Sequence, residues 1–138
     1  MEARLNTRIL IVVDNEANLR LATDVLETEG YVVEQASDAG KVQDILERTV
    51  PDLILMDLAL PSTDGAMLAR KLRAEGRLKH VPIIALTASE LRGEREMARK
   101  MACDGYITKP LDTRKLLVQV AAFLVRGPAP ANGDPPGA

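Results

Sequence analysis

Five short apolar runs alternate with five longer segments of helical period, and this alternation constrains the fold more than any other feature of the chain. The runs cover residues 8–13, 31–35, 53–56, 83–86 and 106–108; the helical segments cover 16–29, 39–48, 65–74, 90–101 and 113–125. Runs one, three and four are apolar almost throughout, as strands are when helices cover both faces of a sheet. Five strand–helix units predict an α/β, doubly wound parallel sheet with right-handed crossovers. The punctuation agrees. Gly30 sits where a helix C-cap belongs, and Asp64 and Asp112 sit where N-caps belong. Pro51 and Pro82 immediately precede strands, where a missing N–H does little harm.

A chain of 138 residues suits one domain with one hydrophobic core. Residues 1–125 are expected to form it. From Arg126 onward the sequence is rich in Pro and Gly and cannot build a core, so 126–138 reads as a disordered tail or linker stub. The net charge of −2 gives no electrostatic argument for nucleic acid or an anionic membrane as partner. No apolar run approaches the roughly 20 residues that span a bilayer, and the N-terminus lacks the apolar core of a signal peptide. Cys103 is alone and forms no internal disulfide, which fits a reducing cytoplasm. With Phe123, Tyr31 and Tyr106 as the aromatic residues, a stacking platform for single strands or a flavin is poorly supplied.

The chemistry gathers where the runs end. Asp57 closes the third, before a turn through Leu60-Pro61-Ser62-Thr63-Asp64-Gly65. Asp14 follows the first, Thr87 the fourth and Lys109 the fifth. In a parallel sheet all four reach the carboxyl edge, where open α/β sheets bind their ligands. Two acids, a hydroxyl and an ammonium suit a metal ion and a phosphoryl group. A carboxylate attacks phosphorus poorly because both are negative; a hard cation such as Mg²⁺, held by carboxylates, carbonyls and waters, offsets this. Phosphoryl transfer then depends mainly on positioning and charge neutralisation.

Four segments together carry a resemblance: Ile11-Val-Val-Asp14-Asn15-Glu16, Leu53 through Gly65, Ala85-Leu-Thr87-Ala88, and Gly105-Tyr106-Ile-Thr-Lys109-Pro110. In this order and at these spacings they resemble a response-regulator receiver domain of two-component signalling, of the single-domain or hybrid-kinase type. The resemblance covers about residues 8 to 125. It implies a flavodoxin-like sheet in strand order 2-1-3-4-5 with five helices, which sets Asp14 beside Asp57. It implies that Asp57 is the phosphoacceptor, forming an aspartyl phosphate, and that Mg²⁺ is bound by Asp14, Asp57 and the backbone carbonyl of Ala59. Lys109 would neutralise a phosphoryl oxygen. Thr87 would hydrogen-bond to another and swing inward, with Tyr106 changing rotamer in concert. Pro110 matches the family's usually cis proline, which aims the lysine. The phosphoryl donor would be a histidine kinase or a histidine phosphotransfer protein. The family's output surface is the helix after Thr87, strand five and the last helix, which a homodimer or effector protein could engage. On the last helix, Leu116, Leu117, Val120, Ala121, Phe123 and Leu124 form an apolar stripe broader than one core face needs. The chain would not be an enzyme beyond catalysing its own phosphorylation and dephosphorylation.

One position departs from the pattern. The family usually has two adjacent acids after strand one. Asp14 lies 16 positions before Gly30 and 43 before Asp57, which suits the second acid, the direct metal ligand. Val13 then replaces the first, which usually holds the metal through water. An alternative reading follows: a degenerate receiver that acts as a phosphorylation-independent interaction module. A dehalogenase-type phosphatase also ends a strand on a nucleophilic Asp but needs a second Asp two residues on, where this chain has Ala59. No Gly-x-Gly-x-x-Gly or Gly-x-x-x-x-Gly-Lys-Ser/Thr motif is present for nucleotides. The residues after the last helix are too few for a DNA-binding module, so no attached effector is expected. His80 lacks Cys or acid neighbours at ligand spacing and reads as a surface residue. Cys103, Met97 and Met101 read as core, and the charged run 92–100 as a solvated helix face.

Overall fold

Alternate side chains of strand β1 (Arg8–Val12) enter different cores. Leu10 and Val12 join Val42 and Leu46 on one side of the sheet, while Ile9 and Ile11 join Leu26, Leu116 and Phe123 on the other. This split follows from the two-residue period of a strand, and it explains why the run has no polar face. The structure, a computed structural model, describes residues 7–13, 16–57, 71–72, 74–78, 80–87, 104–108 and 112–126.

The other strands are β2 (Val32–Ala36), β3 (Leu53–Asp57), β4 (Ile83–Thr87) and β5 (Gly105–Thr108). They form one sheet in the order β2-β1-β3-β4-β5, with every pair parallel. This is the predicted architecture. The described helices are α1 (Glu16–Thr28), α2 (Ala39–Arg48) and α3 (Thr113–Arg126), and a 3₁₀ turn at Gly76–Leu78 lies between β3 and β4. Of the expected helix at 65–74, residues 71, 72 and 74 are helical. Its remainder, with the Asp64 cap, and the expected helix at 90–101 lie outside the described residues. Helix α2 faces one core, and α1 and α3 share the other. Each fully buried Leu or Ile contributes roughly 1.5–3 kcal/mol of transfer free energy.

Strand β2 starts one residue later than its apolar run. The chain leaves α1 through Gly30, whose φ of 100° suits a residue without a Cβ. The amides of Gly30 and Tyr31 close the helix on the carbonyls of Glu27 and Leu26, at 3.0 and 3.2 Å. This is the paired closure of a Schellman motif, so the Tyr31 amide is committed to the helix and not to the sheet. Burial, and secondarily the Glu29 carboxylate, hold the Tyr31 phenol above its usual 10.0. The folded chain therefore favours the neutral ring, and this contribution to stability is lost as pH rises through the raised value. Tyr31→Phe is expected to reduce the alkaline loss of unfolding free energy, measured by urea denaturation above pH 10.

Side-chain caps hold the other two helices. The Asp38 carboxylate accepts the Lys41 amide at 2.9 Å at the start of α2. Asp112 accepts the Arg114 and Lys115 amides at 3.0 and 3.1 Å at the start of α3, as its position predicts. On α3, Leu116, Val120 and Phe123 are buried, and Leu117 and Leu124 pack partly against the same core. The broad stripe is thus largely core, and the large apolar residues left outside are Val118 (70% exposed) and Val125 (90%).

At the amino edge, two aspartates repeat one arrangement. Asp52 donates its amide to the Arg8 carbonyl (2.7 Å) and accepts the Arg8 amide on its carboxylate (2.8 Å). Asp104 does the same to Ile83, at 2.7 Å in both directions. Each stands just before its strand, one residue ahead of the first paired positions, Ile9 with Leu53 and Ile84 with Gly105. Each fills both backbone groups of a neighbouring strand start and so locks the register. Asp52 is exposed and Asp104 buried. Asp104→Ala should therefore cost about 2 kcal/mol of unfolding free energy, because it strips a buried amide of a charged acceptor, and Asp52→Ala less than half of that. Urea denaturation of both variants checks the order.

Candidate functional site

The parallel register brings the last residues of neighbouring strands to one edge. Asp57 is the last residue of β3, the middle strand, and is 4% exposed. On one side Met56 pairs with Val12 of β1, so Val13 comes level with Asp57. On the other side Asp57 pairs with Leu86 of β4, so Thr87, the last residue of that strand, lies one step beyond it. Thr87 in turn pairs with Thr108 at the end of β5. Asp57 and Thr87 thus share the carboxyl edge, as their positions after apolar runs predict. Asp14, Ala59, Lys109 and Pro110 lie outside the described residues.

Tyr106 is the second residue of β5 and is 6% exposed, within the core that includes Leu10, Val12 and Val42. Asp57 continues the other alternation: Leu53 and Leu55 before it belong to the core of α1 and α3. Val13 belongs to that same core and is 1% exposed. Its amide donates to the Ala36 carbonyl at 3.1 Å, which ties it to β2. Its burial on the side of Asp57 needs the register of β1 against β3, which the sequence pattern does not supply.

Among the described residues no group of three or more His, Cys, Asp or Glu could hold a metal ion. His80 is exposed, as expected. Cys103, Met97 and Met101 lie outside the described residues. An open groove of about 930 Å³ runs between α1 and β2, with Arg20, Thr23, Asp24 and Gln35 among its lining. It is polar and is spanned by a hydrogen bond from the Gln35 amide to the Thr23 hydroxyl (2.7 Å). Asp57, Thr87 and Tyr106 do not line it. No helix among the described residues is long and apolar enough to cross a membrane.

Comparison with known proteins gives this edge its context. Residues 9–121 match the model of the response regulator receiver domain. The chain belongs to that family. This receiver is 34% identical over 116 residues to the polar-differentiation response regulator DivK of Brucella anthropi, across 84% of this chain and 94% of that one. The structure of a putative response regulator from Chloroflexus aurantiacus superimposes with a TM-score of 0.82 at 26% identity, covering 88% of this chain and 99% of its own. The receiver domain of a sensor histidine kinase from Pseudomonas aeruginosa superimposes at 0.79 with 34% identity, covering 87% and 98%; that structure has a magnesium ion coordinated in its active site cleft. The receiver fold implied by the four motifs is therefore correct, and the chain is a signalling domain of two-component type.

The Tyr106 ring is buried in the core that α2 faces. Replacing its ring by Ala should cost about 3 kcal/mol, the usual range for an aromatic removed from a core. Thermal or urea unfolding of Tyr106→Ala against Tyr106→Leu checks this, with Leu retaining most of the stability.

Proposed function

We propose that this receiver accepts a phosphoryl group on the Asp57 carboxylate from a phosphohistidine of a histidine kinase or phosphotransfer protein. The observation that supports the reading is Asp57 itself, a buried carboxylate ending the middle strand at the carboxyl edge of a receiver. A carboxylate withdrawn from water needs cationic or donor partners, and its oxygens are the hard donors that Mg²⁺ prefers. The donor chemistry therefore fits that ion. Asp14, Asp57 and the Ala59 carbonyl would hold it; bound there, it supplies the positive charge that lets a carboxylate approach a phosphoryl group. The Asp57 oxygen attacks phosphorus and the histidine nitrogen leaves. Lys109 balances the charge of a phosphoryl oxygen, and the Thr87 hydroxyl donates to another. Pro110 orients Lys109, and Tyr106 follows Thr87 to carry the change towards the last helix. A domain that ends with α3 at Arg126, one residue past the expected limit of 125, with the following residues as a tail, and a cytoplasmic setting fit this role.

The receiver incubated with acetyl phosphate and saturating Mg²⁺ is expected to gain one phosphate by mass spectrometry, and Asp57→Asn none. A phosphate on Ser, Thr or His80, or no phosphate on the unaltered chain, would overturn the reading. The latter outcome would favour a phosphorylation-independent interaction module. Thr87→Ala is expected to accept phosphate yet lose most of the chemical-shift change in the amides of residues 90–106. Shifts equal to those of the unaltered chain would remove Thr87 from the coupling.

A further inference from the structure

Val13 and Asp57 are neighbours in register and share a side of the sheet. The last paired positions of β1 and β3 are Val12 and Met56, so the next residue on each strand stands at the same level. Ile9, Ile11 and Val13 enter one core; Leu53 and Leu55 enter it too, and Asp57 is the next in that alternation. Val13 is 1% exposed and Asp57 4%. The Val13 amide is held by the Ala36 carbonyl, so the backbone that carries its side chain is fixed from the far side by β2. A buried isopropyl group thus stands at the level of the phosphoacceptor carboxylate, where an oxygen donor could have stood.

We infer that Val13 sets the divalent-cation affinity of this site by withholding one oxygen and one negative charge from it. The inference rests on the phosphoacceptor reading above. An acid at position 13 would add a carboxylate, with its oxygens and its negative charge, at the level of Asp57. Bringing a second carboxylate beside the buried Asp57 costs desolvation and adds repulsion until a cation arrives. The cation then gains one more ligand, direct or through water. Valine reverses both effects. It packs into the core of α1 and α3 and stabilises the chain without metal, and it leaves the metal more weakly held. Cation binding and stability are therefore traded against each other at one residue.

Magnesium titrations followed by amide chemical shifts at residues 53–57, with unfolding midpoints at each Mg²⁺ concentration, test this on the full chain. Val13→Asp is expected to tighten Mg²⁺ about fivefold, which is about 1 kcal/mol. It should also lower the midpoint without Mg²⁺ and steepen its rise as Mg²⁺ is added. Val13→Asn, with an oxygen but no charge, should fall between, and Val13→Ala should bind as the unaltered chain does. Equal affinity in all four proteins overturns the inference. So does tightening by Ala equal to that by Asp, because bulk rather than a missing donor would then be the cause. Should the buried acid prevent folding, Val13→Asn decides, and an affinity unchanged from the unaltered chain overturns the inference. Phosphate on Asp57 alongside unchanged affinities removes Val13 alone, whereas no phosphate on Asp57 and no Mg²⁺-dependent shift in any of the four removes the phosphoacceptor reading with it.

Discussion

Register between parallel strands is the constraint on which this structure depends. A slip of one residue turns every side chain of a strand to the other face, and here both faces are core, so hydrophobicity alone penalises such a slip weakly. The penalty comes from the amino edge. Asp52 engages both backbone groups of Arg8, and Asp104 both of Ile83. A slipped strand would part these pairs, and at Asp104 it would leave a buried carboxylate without its amide. The site lies at the opposite edge, yet two of its strand pairs are aligned by these locks. The first sets β3 against β1, and with it Asp57 against Val13. The second sets β5 against β4, and with it Thr108 against Thr87.

Much of the fold was legible because its causes are local. Uniformly apolar strands announce a sheet covered on both faces, and Gly30 announces a left-handed helix end. Asp57 stood out because it ends an apolar run on a charge. The rest needed contacts between distant segments. Asp52 and Asp104 carry no local signal, since nothing near them in the sequence shows that their carboxylates serve another strand. Tyr31 read as the first residue of β2 because it is apolar and follows a helix stop; its amide had already been used by α1. Asp38 caps α2 from an extended backbone that the sequence pattern does not show. On α3, six apolar positions suggested a surplus face, whereas five of them meet the core. The exposed apolar residues Val118 and Val125 were not among the six.

The site divides in the same way. Asp57, Thr87 and Tyr106 were candidates from position and pattern; Asp57 and Thr87 end β3 and β4 at the common edge, and Tyr106 stands within β5. Val13 was noted as a missing acid, but that it lies buried and level with Asp57 became visible only once β1 was registered on β3. A strand end can therefore be informative for what it lacks.

The two-sided sheet has a further consequence for communication within the molecule. Asp57 follows the alternation into the layer of α1 and α3, whereas Tyr106 lies in the layer of α2. Any influence passing between them has to change sides of the sheet. Tyr106 stands on β5, the edge strand of the sheet, and Asp57 on β3, the middle strand. The acid and the aromatic ring thus belong to opposite layers of one sheet, separated by the single strand β4.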